Sequence, residues 1–220
     1  MSEKRVFVDI HVLQTVPPSC VNRDDVGSPK TALYGGVRRA RVSSQCWKRA
    51  IRLQFKDELD ESMVGSRTLR LSSLVAKEIR LLDPSASEEA AMKLAQKVLS
   101  SAGIKMKEEN AAALFFMSPG QAKALAELAL QKVTDKKALA SALYENPSVD
   151  QVFFGRMVAT DPSLNYDACV QVAHAISVHG VQTEFDYFTA VDDEQLDDTA
   201  GAGHLGTVEF NSSTLYRYAT

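Results

Sequence analysis

Residues 83–144 carry a helical period, while the segments on either side carry strand patterns, and this order limits the fold more than any other feature. Ser87, followed by Glu88 and Glu89, opens one predicted helix with Ala91, Leu94, Ala95, Val98 and Ala102 on its apolar face. Ser118-Pro119-Gly120-Gln121 is a capping box with proline at the first helical position, and it launches Ala122, Leu125, Ala126, Ala129 and Val133. Asp135 starts a third, short helix that stops near Asn146-Pro147. The N-terminal flank, Val6 to Leu13, alternates, with Val6, Val8, Ile10 and Val12 predicted on a buried strand face. On the C-terminal flank, Phe185–Val191 and Thr207–Phe210 read as strands, and residues 192–206 as a long hairpin tip. Thr214–Thr220 reads as the start of a further strand, which leaves the sheet unfinished and is expected of part of a longer protein. Three other segments complete the reading: an irregular arm over Thr15–Arg41, a short strand over Val152–Val158, and a helix over Tyr166–Ser177 with Cys169, Val172, Ala173 and Ile176 at helical spacing. The expected class is α+β, with a helical subdomain inserted into a sheet-containing one.

Composition excludes more than it identifies. With 220 residues, 45% of them hydrophobic, the chain can build a core, and a net charge of −3 carries no signature of nucleic acid. The longest clear apolar run, Ala111–Met117, is too short for a bilayer, and the opening MSEKRVFVDI has no signal-peptide core. Cys20, Cys46 and Cys169 lie far apart without a CxxC, which argues against a disulfide scaffold or structural zinc and fits a cytoplasmic protein. The charges are nevertheless segregated. Residues 21–52 hold Arg23, Lys30, Arg38, Arg39, Arg41, Lys48, Arg49 and Arg52 against Asp24 and Asp25, a net +6. Residues 184–209 hold eight acids and neither lysine nor arginine, a net −8.

The cations have an organised setting. Ser43-Ser44 offers an N-cap to a helix running to about Phe55, with Cys46, Trp47, Ala50, Ile51 and Leu53 on its apolar side. Gln45, Lys48, Arg49 and Arg52 stand at i, i+3, i+4 and i+7, one continuous stripe. Cations near a helix N-terminus gain nothing from the dipole, so their placement points to an anion. A phosphate backbone needs several such cations, with neutral donors at the helix start as a phosphate seat. Met157 and Leu205 are apolar candidates for wedging bases, although residues of that kind usually belong to a core.

Enzymatic motifs are missing: the chain has no GxSxG, HExxH, Walker or GxGxxG pattern. His11 with Cys20 reads as structural, and His174 with His179 falls off a common helical face, so neither makes a catalytic or metal set. Asp24-Asp25 is the carboxylate pair able to hold a divalent ion near a phosphate, and bonding to turn backbone is its commoner use. No catalytic residues, metal or cofactor are assigned.

Four runs carry a specific resemblance. These are the N-terminal IHVLQTVPPSCVNRDDVGSPKTALYGGVRRARVSSQCWKRAIR, FGRM at 154–157, QVAHAISVHGVQTEFDYFTAVDD at 171–193, and GAGHLGTVEFNSSTLYRYA at 201–219. In this order the chain resembles the backbone subunit of type I-E CRISPR Cascade complexes, the CasC family, without its C-terminal part. The resemblance implies a modified RNA-recognition-motif (ferredoxin-like) palm with inserted helical fingers and a β-hairpin thumb. It would divide the chain into 1–58, the first part of the palm; 59–182, the fingers; and 183–220, the palm strands with the thumb at about 190–209. It further implies a non-catalytic, cytoplasmic RNA-binding scaffold in antiviral defence. Its partners would be crRNA, further copies of itself, other Cascade subunits and, through the guide, target DNA, with no membrane. The guide-contacting residues implied are Arg23, Lys30, Ser43, Gln45, Lys48, Arg49 and Arg52, with Arg156, Met157 and Leu205 near a displaced nucleotide. The finger helix after Asp135 keeps only Lys136 and Lys137, so weaker contacts to target DNA are expected. Reversal of Lys48, Arg49 and Arg52 to glutamate is expected to remove RNA binding without unfolding. The rival reading is a metal-dependent ribonuclease of the same superfamily acting through Asp24 or Asp25.

Overall fold

Ile10–Ser19 forms the first strand, β1, and it runs on through Pro17 and Pro18. Two prolines are tolerated because β1 is an edge strand among the described residues, pairing with the strand at His204–Ala219; the register slips between Val16 and Ser19 where they sit. The computed structural model describes residues 6–158, 161–190, 193 and 204–220. After a turn at 23–29 the chain forms a hairpin, β2 (Thr31–Tyr34) and β3 (Val37–Val42), closed by Gly35 and Gly36. Both glycines have positive φ, +62° and +79°, the backbone that a two-residue hairpin loop needs and that only glycine adopts cheaply. The expected irregular arm over Thr15–Arg41 is thus largely sheet. The expected buried face at Val6–Val12 is also corrected. Residues 6–9 precede β1, and Val6 and Val8 are 84% and 64% exposed.

Helix α1 (Ser44–Glu58) follows β3 directly. The insertion then folds as β4 (Ser66–Thr68), α2 (Leu71–Leu82), α3 (Glu88–Ser101), β5 (Met106–Lys107), β6 (Asn110–Ala111), β7 (Phe115–Met117), α4 (Pro119–Leu130), α5 (Lys136–Tyr144) and α6 (Val149–Phe154). Ser87, Ser118 and Asp135 cap α3, α4 and α5 as the sequence predicts. Ala91, Ala95, Ala122 and Ala126 are buried in one core with Leu71, Val75, Ile79, Leu99, Leu125 and Leu143.

Two expectations fail beyond the insertion's main helices. Val152–Val158 was expected as a strand, yet Val149–Phe154 is helical, because Gln151 Oε1 accepts from the Ser148 N–H at 3.0 Å and fixes the first turn. Gly155 ends α6 at φ +75° and ψ 172°, a region essentially restricted to glycine. A Cβ there would lie 2.7 Å from the Tyr166 carbonyl oxygen. Gly155→Ala is therefore expected to cost about 2 kcal/mol, read as a lower urea midpoint at unchanged slope. Tyr166–Ser177, expected as a helix, is extended. Its backbone donors find distant carbonyls instead of helical ones: Tyr166 N–H bonds to Arg156, Cys169 N–H to Val152 and Ala173 N–H to Tyr218. The segment ends in β8 (Ala175–Ser177).

Strands β9 (Glu184–Ala190) and β10 (His204–Ala219) join the sheet, whose order among the described residues is β1-β10-β8-β3-β2 with β9 on β10. The expected strands at 207–210 and 214–220 are one continuous strand. The expected hairpin tip lies mostly outside the described residues, as do Asp192, Glu194, Asp197 and Asp198 of the acidic segment. The chain divides into two compact units, Met1–Ala50 with Gln171–Thr220, and Ile51–Val170. In the first, Ala40, Val42, Ala175 and Leu215 form a small core against which Val16, Cys46, Trp47 and Val181 pack. Among the described residues no helix is long and apolar enough to cross a membrane.

Candidate nucleic-acid interface

The start of α1 organises the basic residues of the first unit. Ser43 is buried, and its hydroxyl oxygen accepts from the Cys46 N–H at 3.3 Å, capping the helix. Its own N–H donates to Asn22 Oδ1 at 3.0 Å, while the Asn22 carbonyl accepts from the Lys30 N–H at 2.8 Å. Asn22 thus ties the turn carrying Arg23 and Lys30 to the helix N-terminus. Arg23 is exposed, with one guanidinium N–H on the Gly27 carbonyl at 2.8 Å. Gln45 and Arg49 are exposed and Lys48 half-buried on the first turns of α1. Among the described residues none of Arg23, Lys30, Lys48 and Arg49 forms an ion pair.

Two residues here escaped the sequence reading. His174 Nδ1 accepts from the Ser44 N–H at 3.3 Å and lies 3.5 Å from an Arg41 guanidinium nitrogen. Both therefore stand at the start of α1. Arg41 had a legible signal, its place two residues before the cap; His174 had none, because its position depends on β8 pairing beside β3.

Asp24 is engaged locally. Its Oδ1 accepts from the Val26 and Ser28 N–H groups at 3.1 and 2.9 Å, an arrangement that holds the turn. Among the described residues no group of three or more metal-ligating side chains comes together.

The second unit uses its arginines differently. Arg52 donates from Nε to Asp150 Oδ2 at 2.9 Å, lies 4.2 Å over the Phe116 ring, and has a side chain only 16% exposed. Arg156 is buried and donates to the carbonyls of Leu164, Phe116 and Leu143 and to Gln121 Oε1, between the rings of Phe115 and Tyr166. Burial without a carboxylate partner lowers its pKa to about 10. Its guanidinium is thus turned inward, fastening the chain just before Met157, which is 85% exposed. In the first unit, Leu205 is 55% exposed and pairs with Thr189.

These features define an α+β chain with a helical insertion and a cationic helix start, and solved structures share its fold. The chain matches one chain of a structure described as "CRISPR RNA-guided surveillance complex, pre-nicking" with a TM-score of 0.80 and 36% identity, covering 96% of this chain and 63% of that one. It matches a chain of a second structure, described as "CRISPR RNA-guided surveillance complex", with a TM-score of 0.67 and 31% identity, over 96% and 62% respectively. It therefore spans less than two thirds of the length of either. The family described as CT1975-like protein matches residues 8–220, and the chain belongs to that family. No curated protein matches the sequence.

Proposed function

We propose that this chain is a non-catalytic, crRNA-binding backbone subunit of a CRISPR surveillance complex of the type I-E Cascade kind. The observation that carries the reading is the group of cations Arg23, Lys30, Lys48 and Arg49 around the capped start of α1, none of them in an ion pair among the described residues. Cations in that number suit a phosphate backbone, and the helix N-terminus adds neutral donors. In this reading the first unit is a modified RNA-recognition-motif palm, the helices of the second are fingers, and the β9–β10 hairpin is a thumb carrying Leu205. Copies assemble along the guide, and the guide reads target DNA by base pairing while the protein holds its backbone. Met157 is the exposed residue of the FGRM run available to a displaced base.

The rival, a metal-dependent ribonuclease, needs Asp24 or Asp25 to hold a cation. Asp24 holding its own turn through two N–H groups favours the scaffold. RNA binding by the purified chain, measured across a salt series in Mg²⁺ and in EDTA, separates the two. The expected result is intact RNA in both buffers and an affinity that falls steeply with salt. Cleavage confined to Mg²⁺ and lost in Asp25→Ala would replace the scaffold reading with the nuclease.

A further inference from the structure

We propose that His174 couples RNA binding at the start of α1 to the uptake of a proton, so that the grip on a phosphate backbone tightens as the pH falls. The inference rests on the reading of that helix start as a seat for the guide's phosphates, and adds its regulation. Two groups that can only donate are aimed at one ring nitrogen. The Ser44 N–H bonds to His174 Nδ1 at 3.3 Å, and an Arg41 guanidinium nitrogen lies 3.5 Å from the same atom. Neither a backbone N–H nor a guanidinium has a lone pair to offer, so Nδ1 keeps its own and the neutral ring carries its proton on Nε2. Ser44 is the first helical residue, and its N–H is one of the donors that a helix leaves without an intrahelical partner. His174 therefore holds the place that an anion takes at a helix start.

A phosphate oxygen and the ring nitrogen compete for the same donor. Once the oxygen takes the Ser44 N–H, the imidazole has an acceptor beside it where it had two donors. Protonated at Nδ1, the ring then becomes a third donor to the phosphate, next to Ser44 and Arg41. Without an anion, the same protonated ring would set its N–H against two other donors and hold neither contact. Arg41 stays in place when the ring turns, because its Nε donates to the Thr31 carbonyl at 3.1 Å and its backbone N–H to the Lys30 carbonyl at 2.9 Å. Each neighbouring element adds its own ionisable groups. Strand β3 brings Arg41, the turn before it Lys30, and α1 brings Lys48, one turn beyond Ser44. Strand β10 brings Tyr218, whose carbonyl accepts from the Ala173 N–H at 3.0 Å and whose hydroxyl donates to Asp9 at 2.8 Å. Among the described residues no carboxylate oxygen lies within 4.0 Å of a His174 nitrogen. By linkage, an equilibrium that takes up a proton is favoured at lower pH, and the imidazole is the side chain that gains one between about pH 8 and 5.

The test follows a fluorescent single-stranded oligouridine by anisotropy on the full chain and on His174→Asn, whose amide oxygen can accept from the Ser44 N–H but does not titrate. The parent is expected to bind about tenfold more tightly at about pH 5.5 than at about pH 7.5, while the variant changes by less than about threefold over the same range. Calorimetry in two buffers of different ionisation enthalpy supplies a readout that a merely structural histidine would not move. Near neutral pH the parent takes up a fraction of a proton on binding, and the variant takes up less. Parallel pH profiles of parent and variant would overturn the proposal. Should His174→Asn fail to fold, the parent's calorimetry decides, and binding without net proton uptake overturns it equally. Absent binding at every pH would remove the guide-binding reading and this inference with it, whereas pH-independent binding removes this inference alone.

Discussion

Asp150→Ala is expected to destabilise the chain by about 3–5 kcal/mol, the range for removing one partner of a buried ion pair. Asp150 is fully buried, and its carboxylate accepts from three donors: Arg52 Nε at 2.9 Å, the Gly65 N–H at 2.9 Å and the Ser148 hydroxyl at 2.7 Å. Alanine strands all three. Gly65 is closely packed here: a Cβ at this position would lie 2.6 Å from the Ser148 hydroxyl and 2.7 Å from the Phe116 ring. The Arg52 guanidinium would keep only the Phe116 face as company, too weak a partner for a largely buried cation. Asp150→Asn keeps the shape and one accepting oxygen, enough for the Gly65 N–H and the Ser148 hydroxyl, but turns an NH2 donor toward Arg52; it is expected to cost less, about 2 kcal/mol. Urea denaturation of the two variants against the parent checks both figures. An alanine variant within 1 kcal/mol of the parent would show that the pair contributes no net stability.

The second large effect concerns binding. Lys48→Glu with Arg49→Glu is expected to weaken single-stranded RNA binding at low salt by about 100-fold or more, and to reduce the slope of log affinity against log salt by about 2. Thermal unfolding should be unchanged, because neither residue forms an ion pair among the described residues and neither is fully buried. An unaltered salt slope would remove both residues from the interface. Arg52 does not belong in the same variant. Its reversal sets a second carboxylate against Asp150 at a largely buried site and unfolds the unit through repulsion, so the triple reversal would mix lost binding with lost structure.

Arg52 and Lys48 share one helix face, and that contrast marks what local pattern reveals. Helical spacing makes Gln45, Lys48, Arg49 and Arg52 a stripe, but which cation is spoken for depends on Asp150, which lies 98 positions away. The same holds for Arg156, whose acceptors come from Phe116, Gln121, Leu143 and Leu164. Helices α3, α4 and α5 were legible because a cap and a 3.6-residue period are written within one segment. The sheet was less so. The hairpin at Gly35-Gly36 did have a local signal, the glycine pair, yet three prolines around it suggested an irregular arm. Tyr166–Ser177 had an apolar spacing compatible with a helix, and only β3 and β10, both distant in sequence, make β8 a strand. Of the binding residues, the Ser43 cap and the Lys48 and Arg49 positions were readable, while His174 reaches the same helix start through that distant pairing.

Strand β10 changes partners partway along its length. Residues 204–210 pair with β9, and from Asn211 onward the strand pairs with β1, with β8 joining at Tyr216 and Leu215. The hairpin is therefore a cantilever whose root is a strand of the sheet, with no intervening linker. A pull along its axis reaches the β1 ladder in shear, loading many backbone hydrogen bonds at once instead of peeling them in turn. Whatever the outer end grips, the sheet would feel as tension along one stiff rod.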